Sequence, residues 1–148
     1  MSKNEKLVLD ATEYARLFLN IDDGLWILIN DIDHFESINH IALYDKDNFL
    51  IRYNKEWLKT AKNENIIKTA FHEIFHVLQH ACIVESKLGI HHNIFTKEKL
   101  IQMEKEFMDE NYSTKVGVYE NLLIEQQAEA FAVVLYEKYI KEKGVLSV

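Results

Sequence analysis

One periodic stretch sets the frame for the whole chain: from about Glu64 to Lys87 there is neither glycine nor proline. Within it Ile67, Ala70, Phe71, Ile74, Leu78 and Ala81 recur at three- and four-residue spacing, which predicts one long amphipathic helix stopping near Gly89. This is the central helix.

The flanking segments supply its partners. Leu7, Ala11, Tyr14, Ala15, Phe18 and Leu19 fall at helical spacing, so a first helix is expected over about residues 4 to 20. The run Leu25 to Ile29 is short, β-branched and aromatic between the turn formers Asp22-Asp23-Gly24 and Asn30-Asp31, and reads as a strand. Ile38 to Tyr44 and Phe49 to Tyr53 flank the polar Asp45-Lys46-Asp47-Asn48 and read as a hairpin, giving a small, mostly antiparallel sheet. Thr96 can cap a third long helix reaching about Asn111, with Leu100, Ile101, Phe107 and Met108 as its buried side. A fourth helix is expected after Ser113 and Thr114, from about Val116 to Lys141. With no repeat, low-complexity tract or proline anywhere, one α+β domain over residues 1–148 accounts for the pattern.

Charge narrows the partners. A net charge of −7 with no basic stripe argues against nucleic acid, since phosphate binding needs clustered cations. The alternations Lys97-Glu98-Lys99 and Glu104-Lys105-Glu106 read as solvated helix surface. The single cysteine, Cys82, leaves no intramolecular disulfide, and the mixed polar start at Met1 to Lys6 lacks a signal-type apolar run. No apolar stretch approaches the roughly eighteen residues needed to cross a bilayer, so a cytoplasmic address without membrane contact is expected.

On the central helix stands His72-Glu73-Ile74-Phe75-His76, the H-E-x-x-H spacing of zinc peptidases. Residues four apart differ by about 40° in direction and about 6 Å in height, so both imidazoles can reach one ion. Glu73 points elsewhere; its carboxylate can serve as general base toward a water held by the ion, whose pKa falls towards about 7. Taken alone the pattern could be coincidence on a histidine-rich helix. A catalytic zinc needs a third protein ligand, and Glu125-Gln126-Gln127-Ala128-Glu129-Ala130-Phe131-Ala132 supplies one. Glu125, Ala128, Glu129 and Ala132 share one stripe, and small alanines between carboxylates suggest a face brought close to another helix. Glu125 would bind the zinc, while Glu129, one turn on, could accept a hydrogen bond from a ligating imidazole. Without the upstream motif both glutamates would read as exposed helix residues.

Together, His72-Glu73-x-x-His76 preceded by Thr69, continued by Leu78 and His80, and answered by Glu125-x-x-Ala128-Glu129-x-Phe131-Ala132 resembles the ImmA/IrrE type of small gluzincin metallopeptidase over roughly residues 38 to 140. The resemblance implies that Glu125 is the zinc-binding glutamate. Glu129 falls where such proteins usually carry Asp or Asn, and the proline that often closes the glutamate helix is missing here. It also implies that Ile38 to Tyr53 lines the cleft and takes an extended peptide by edge pairing, which exposed backbone donors and acceptors allow. The implied substrates are proteins such as transcriptional repressors.

Rival readings stay open. The metzincin pattern fails because Gln79 and Cys82 occupy its glycine and third-histidine positions, and Cys82 is expected as a small core residue. His80, one turn past His76, either borders the cleft or bonds a neighbour. His91 and His92, after Gly89, faintly resemble the third-ligand segment of SprT-like proteases. An oxyanion donor is also required, for which Tyr112, Tyr119, His91 and His92 are candidates. The remaining function class is a zinc-holding interaction module without catalysis.

Overall fold

The computed structural model describes residues 1–31, 33, 35, 40–108 and 121–144. Helix α1 (Lys3–Phe18) opens with a capping box, in which the Ser2 Oγ accepts from the Glu5 N–H and the Glu5 carboxylate accepts from the Ser2 N–H. Strands β1 (Trp26–Asn30), β2 (Ala42–Asp45) and β3 (Leu50–Asn54) follow, then the short helix α2 (Lys55–Thr60), α3 (Asn63–Lys87), α4 (Lys97–Phe107) and α5 (Leu123–Lys143). The result is an α+β fold in which α1, α4, α5 and β2 all pack on α3. No helix among the described residues is long and apolar enough to cross a membrane.

The sheet differs from the expected mostly antiparallel one. Its order is β1-β3-β2, with β2 antiparallel to β3 and β1 parallel to β3. The expected hairpin is present, though its first strand begins at Ala42 and not at Ile38, with residues 38–39 outside the described residues; the Asp45 carboxylate turns it by accepting from the Asp47 and Asn48 N–H groups. The first strand, however, docks on the far edge of β3, and hairpin spacing carries no information about that choice. As the central strand, β3 buries Leu50, Ile51, Tyr53 and Asn54. Helix α2, absent from the sequence reading, is too short to show a period and starts because the Asn54 Oδ1 accepts from Glu56 N–H at 3.0 Å.

Packing explains why α3 is central. Ile66, Ile67, Ala70, Phe71 and Ile74 are fully buried against Val8, Ala11 and Ala15 of α1, Ile51 and Tyr53 of β3, and Ala132, Leu135 and Tyr139 of α5. Each large side chain so buried contributes about 1.5–3 kcal/mol. One polar link crosses this core, the 2.7 Å hydrogen bond between Thr12 Oγ1 and Tyr53 Oη. A smaller cluster of Ile83, Met103 and Ile124 ties the far half of α3 to α4 and α5. α3 ends in a Schellman turn, with Ile90 N–H on Glu85 O and Gly89 N–H on Ser86 O, and Gly89 takes φ 84°, which a side chain would resist.

The third helix begins where read, the Thr96 Oγ1 accepting from Lys99 N–H, but its buried residues are Met103 and Glu106. Leu100 and Phe107 are partly buried, whereas Ile101 and Met108 are about half exposed. The expected side was displaced because α4 uses only one short edge against α3 and α5. The described part of the fourth helix starts at Leu123; residues 116–120 lie outside the described residues.

Candidate metal centre

Two helices meet to form the site. From α3, His72 and His76 present their rings 4.8 Å apart at 83°. From α5, the Glu125 carboxylate reaches both, Oε1 lying 2.7 Å from His72 Nε2 and Oε2 3.2 Å from His76 Nε2. The close approach needs small residues between the helices, and Ala128 and Ala132 are buried at that seam. Glu73 is buried beside them, and His72, Glu73 and His76 can each offer an atom within 4.8 Å of the others.

Both rings are held from behind. His72 Nδ1 lies 3.3 Å from the Glu129 Oε2, although that glutamate side chain is largely exposed. His76 Nδ1 lies 2.8 Å from the Gln79 Oε1 within the protein. With the Nδ1 atoms taken, the Nε2 atoms are the ones turned towards Glu125.

The charges are set by competition between burial and pairing. Burial alone would raise the Glu125 carboxyl, but hydrogen bonds to His72 and His76 outweigh it and hold the group well below the usual carboxylate range. Burial opposes charge on His76, yet its bond to Glu125, with the Glu125 and Glu73 charges, pushes it up to about 9. Glu73 goes the other way: burial raises its carboxyl, against the opposing pull of His76 and His72 and hydrogen bonding from the Tyr44 backbone. A carboxyl raised above its ordinary value is a better proton acceptor.

Beside these groups an open cleft of about 180 Å³ is lined by Leu43 to Asp47, His76 and Phe107. Strand β2 forms its wall, and among the described residues it pairs in the sheet with β3 alone. Of the hairpin segment expected at the cleft, residues 43–47 are there.

His80 points to a neighbour, its Nδ1 standing 3.0 Å from the Tyr44 hydroxyl, and burial and Lys46 push its pKa down. The structure does not bring His91 and His92 to the centre. Both are exposed beyond the end of α3, and His92 pairs with Glu85, which is nine residues past His76 and so about 13 Å further along the axis. Gly89 turns the chain away there instead of back. Tyr112 and Tyr119 lie outside the described residues. Cys82 is a buried residue, as read.

Sequence reasoning missed three supports. Gln79 is fully buried on the site face of α3; an amide inside an apolar stripe was the available signal. Tyr44 reaches both Glu73 and His80, with nothing in its strand pattern to mark it. Glu106, read as solvated surface, is buried and accepts from the Leu123 and Ile124 N–H groups at 3.0 and 2.9 Å. Leu122, at the N-cap of α5, offers no side-chain bond, so Glu106 caps that helix from α4 and steadies the turn that bears Glu125.

The donor set fits a zinc ion. Adjacent donors on a tetrahedral ion with bonds of about 2.0 Å stand roughly 3.3 Å apart. The observed separations, 2.7 Å to one Glu125 oxygen and 3.2 Å to the other, would have to open by about 0.6 and about 0.1 Å to reach that spacing. Comparison of the chain with protein-family models, curated proteins and solved structures returns no match.

Proposed function

We propose that the chain is a zinc-dependent endopeptidase of the small gluzincin, ImmA/IrrE-like type, acting on a peptide or protein. The observation that carries the reading is the convergence of Glu125 from α5 on the Nε2 atoms of both His72 and His76 from α3, with Glu73 buried alongside. Zinc, when bound, would polarise a substrate carbonyl and lower the pKa of a water towards about 7.

The chain's own residues divide the remaining work. His72, His76 and Glu125 would hold the ion, and Glu129 and Gln79 keep the two rings in place. Glu73, whose carboxyl is raised by burial, takes a proton from the attacking water and returns it to the departing amide nitrogen. The outer edge of β2, which has no strand partner among the described residues, can add an extended peptide as a further strand, carrying its backbone past His76 and Phe107. A repressor as the physiological target rests on the family resemblance alone.

The test compares zinc-loaded wild type with Glu73→Gln on a proteome-derived peptide library, reading new N-termini by mass spectrometry. The wild type should produce a consistent set of cleavages that the variant, with equal zinc content, does not. Identical profiles for both proteins would leave a zinc-holding interaction module as the function. Separately, Glu125→Ala should sharply reduce bound zinc.

A further inference from the structure

The buried amide of Gln79 does more than hold a ring in place, for every polar atom of its side chain is engaged. Its Nε2 donates to the Ile124 carbonyl at 3.0 Å and to the Gln127 Oε1 at 2.9 Å, while its Oε1 faces His76 Nδ1 at 2.8 Å. A backbone carbonyl only accepts, so the amide end beside Ile124 must be the NH₂ group. The oxygen is then forced towards His76, and an oxygen there requires a proton on Nδ1.

We propose that Gln79 is a positioning residue that sets the tautomer of His76 and, through Ile124, binds that histidine to the helix carrying Glu125. The order is one-directional: the Ile124 carbonyl orients the amide, the amide oxygen holds a proton on Nδ1, and the proton His76 gives up on binding a metal is the one on Nε2, facing Glu125. Ile124 immediately precedes Glu125, so the same bond holds the two helices in register at the point where their ligands meet. Gln79 and Ile124 are fully buried and His76 nearly so, which keeps water from substituting for either link. Its consequence for metal binding rests on the proposed zinc site; the proton held on Nδ1 does not.

The experiment uses the full chain labelled with ¹⁵N-histidine. Wild type should show a protected Nδ1–H resonance for His76, retained when zinc is added, with the ligation shift on Nε2. Gln79→Met, which keeps the volume and removes every bond, should lose that protection and weaken zinc binding roughly ten- to hundredfold in competition with a chromophoric chelator. Ile74→Val serves as a core control that lowers stability without moving the resonance. Zinc on Nδ1 of His76 in wild type, or a Gln79→Met protein with an intact Nδ1–H signal and affinity within twofold, would overturn the assignment. Should Gln79→Met fail to fold, the wild-type spectrum decides alone. If wild type takes up no zinc, the peptidase reading falls, while the protected proton and its loss in the variant still decide the role of Gln79.

Discussion

Removal of the Glu106 carboxylate offers the most direct measure of how α5 is held against α3. In the folded chain Glu106 accepts from Leu123 N–H, Ile124 N–H and the Gln102 Nε2 at 3.0, 2.9 and 2.8 Å. Glu106→Ala deletes the acceptor for the first two amides of α5, and the one on Ile124 sits where no solvent reaches. Loss of a helix cap costs about 0.5–2 kcal/mol, and a buried donor left without a partner about 1–3 kcal/mol. The two overlap, so a net loss of about 3 kcal/mol is expected, which for a chain of this size lowers Tm by roughly 6–12 °C. Glu106→Gln keeps an acceptor and gives up the charge that favours a helix N-terminus, and should lose about 1 kcal/mol or less. Urea denaturation of the metal-free variants reads both numbers. Because Glu125 lies in the turn being capped, Glu106→Ala should also weaken zinc binding, whereas equally destabilising changes in the core remote from α5 should not. A Glu106→Ala protein within 0.5 kcal/mol of wild type, with unchanged zinc affinity, would refute the claim that this carboxylate holds the ligand helix.

Other outcomes follow from the same contacts. His76 is held up to about 9, above its ordinary value, so its pairing with Glu125 stabilises the metal-free protein fully below about pH 6.5 and is lost as pH rises through about 9; that contribution should disappear from the urea midpoint over this window. Zinc must displace the same proton, so its affinity should climb roughly tenfold per pH unit up to about 9, measured by calorimetry in buffers of different ionisation enthalpy. Phe71→Ala, at a fully buried position shared by α1 and α5, should cost about 3–5 kcal/mol by denaturant melting. His91→Ala combined with His92→Ala should leave zinc content unaltered, since both residues sit past the end of α3; loss of the metal in this double variant would restore the three-histidine site.

Local order was decided by the amino-acid sequence itself. The span of α3, its stop at Gly89, the Thr96 cap and the hairpin all follow from spacing and turn chemistry within a few residues. So does the presentation of His72 and His76 on one side, because helical period is a property of the backbone. The stripe of Glu125, Ala128, Glu129 and Ala132 was readable too, and its small residues anticipated a close helix contact.

Only the tertiary structure decided what met that stripe. His72 and Glu125 are 53 residues apart in the chain and touch because α3 and α5 bury a common core, not through any local preference. The docking of β1 on the far edge of β3 was settled in the same way, by which faces needed covering. Periodicity tells a residue which side of its own helix it occupies but not what stands opposite, so a charge that caps a distant helix looks the same as a charge in water. Glu106 and Gln79 acquired their roles only when a second helix brought its open amides and a carbonyl within reach.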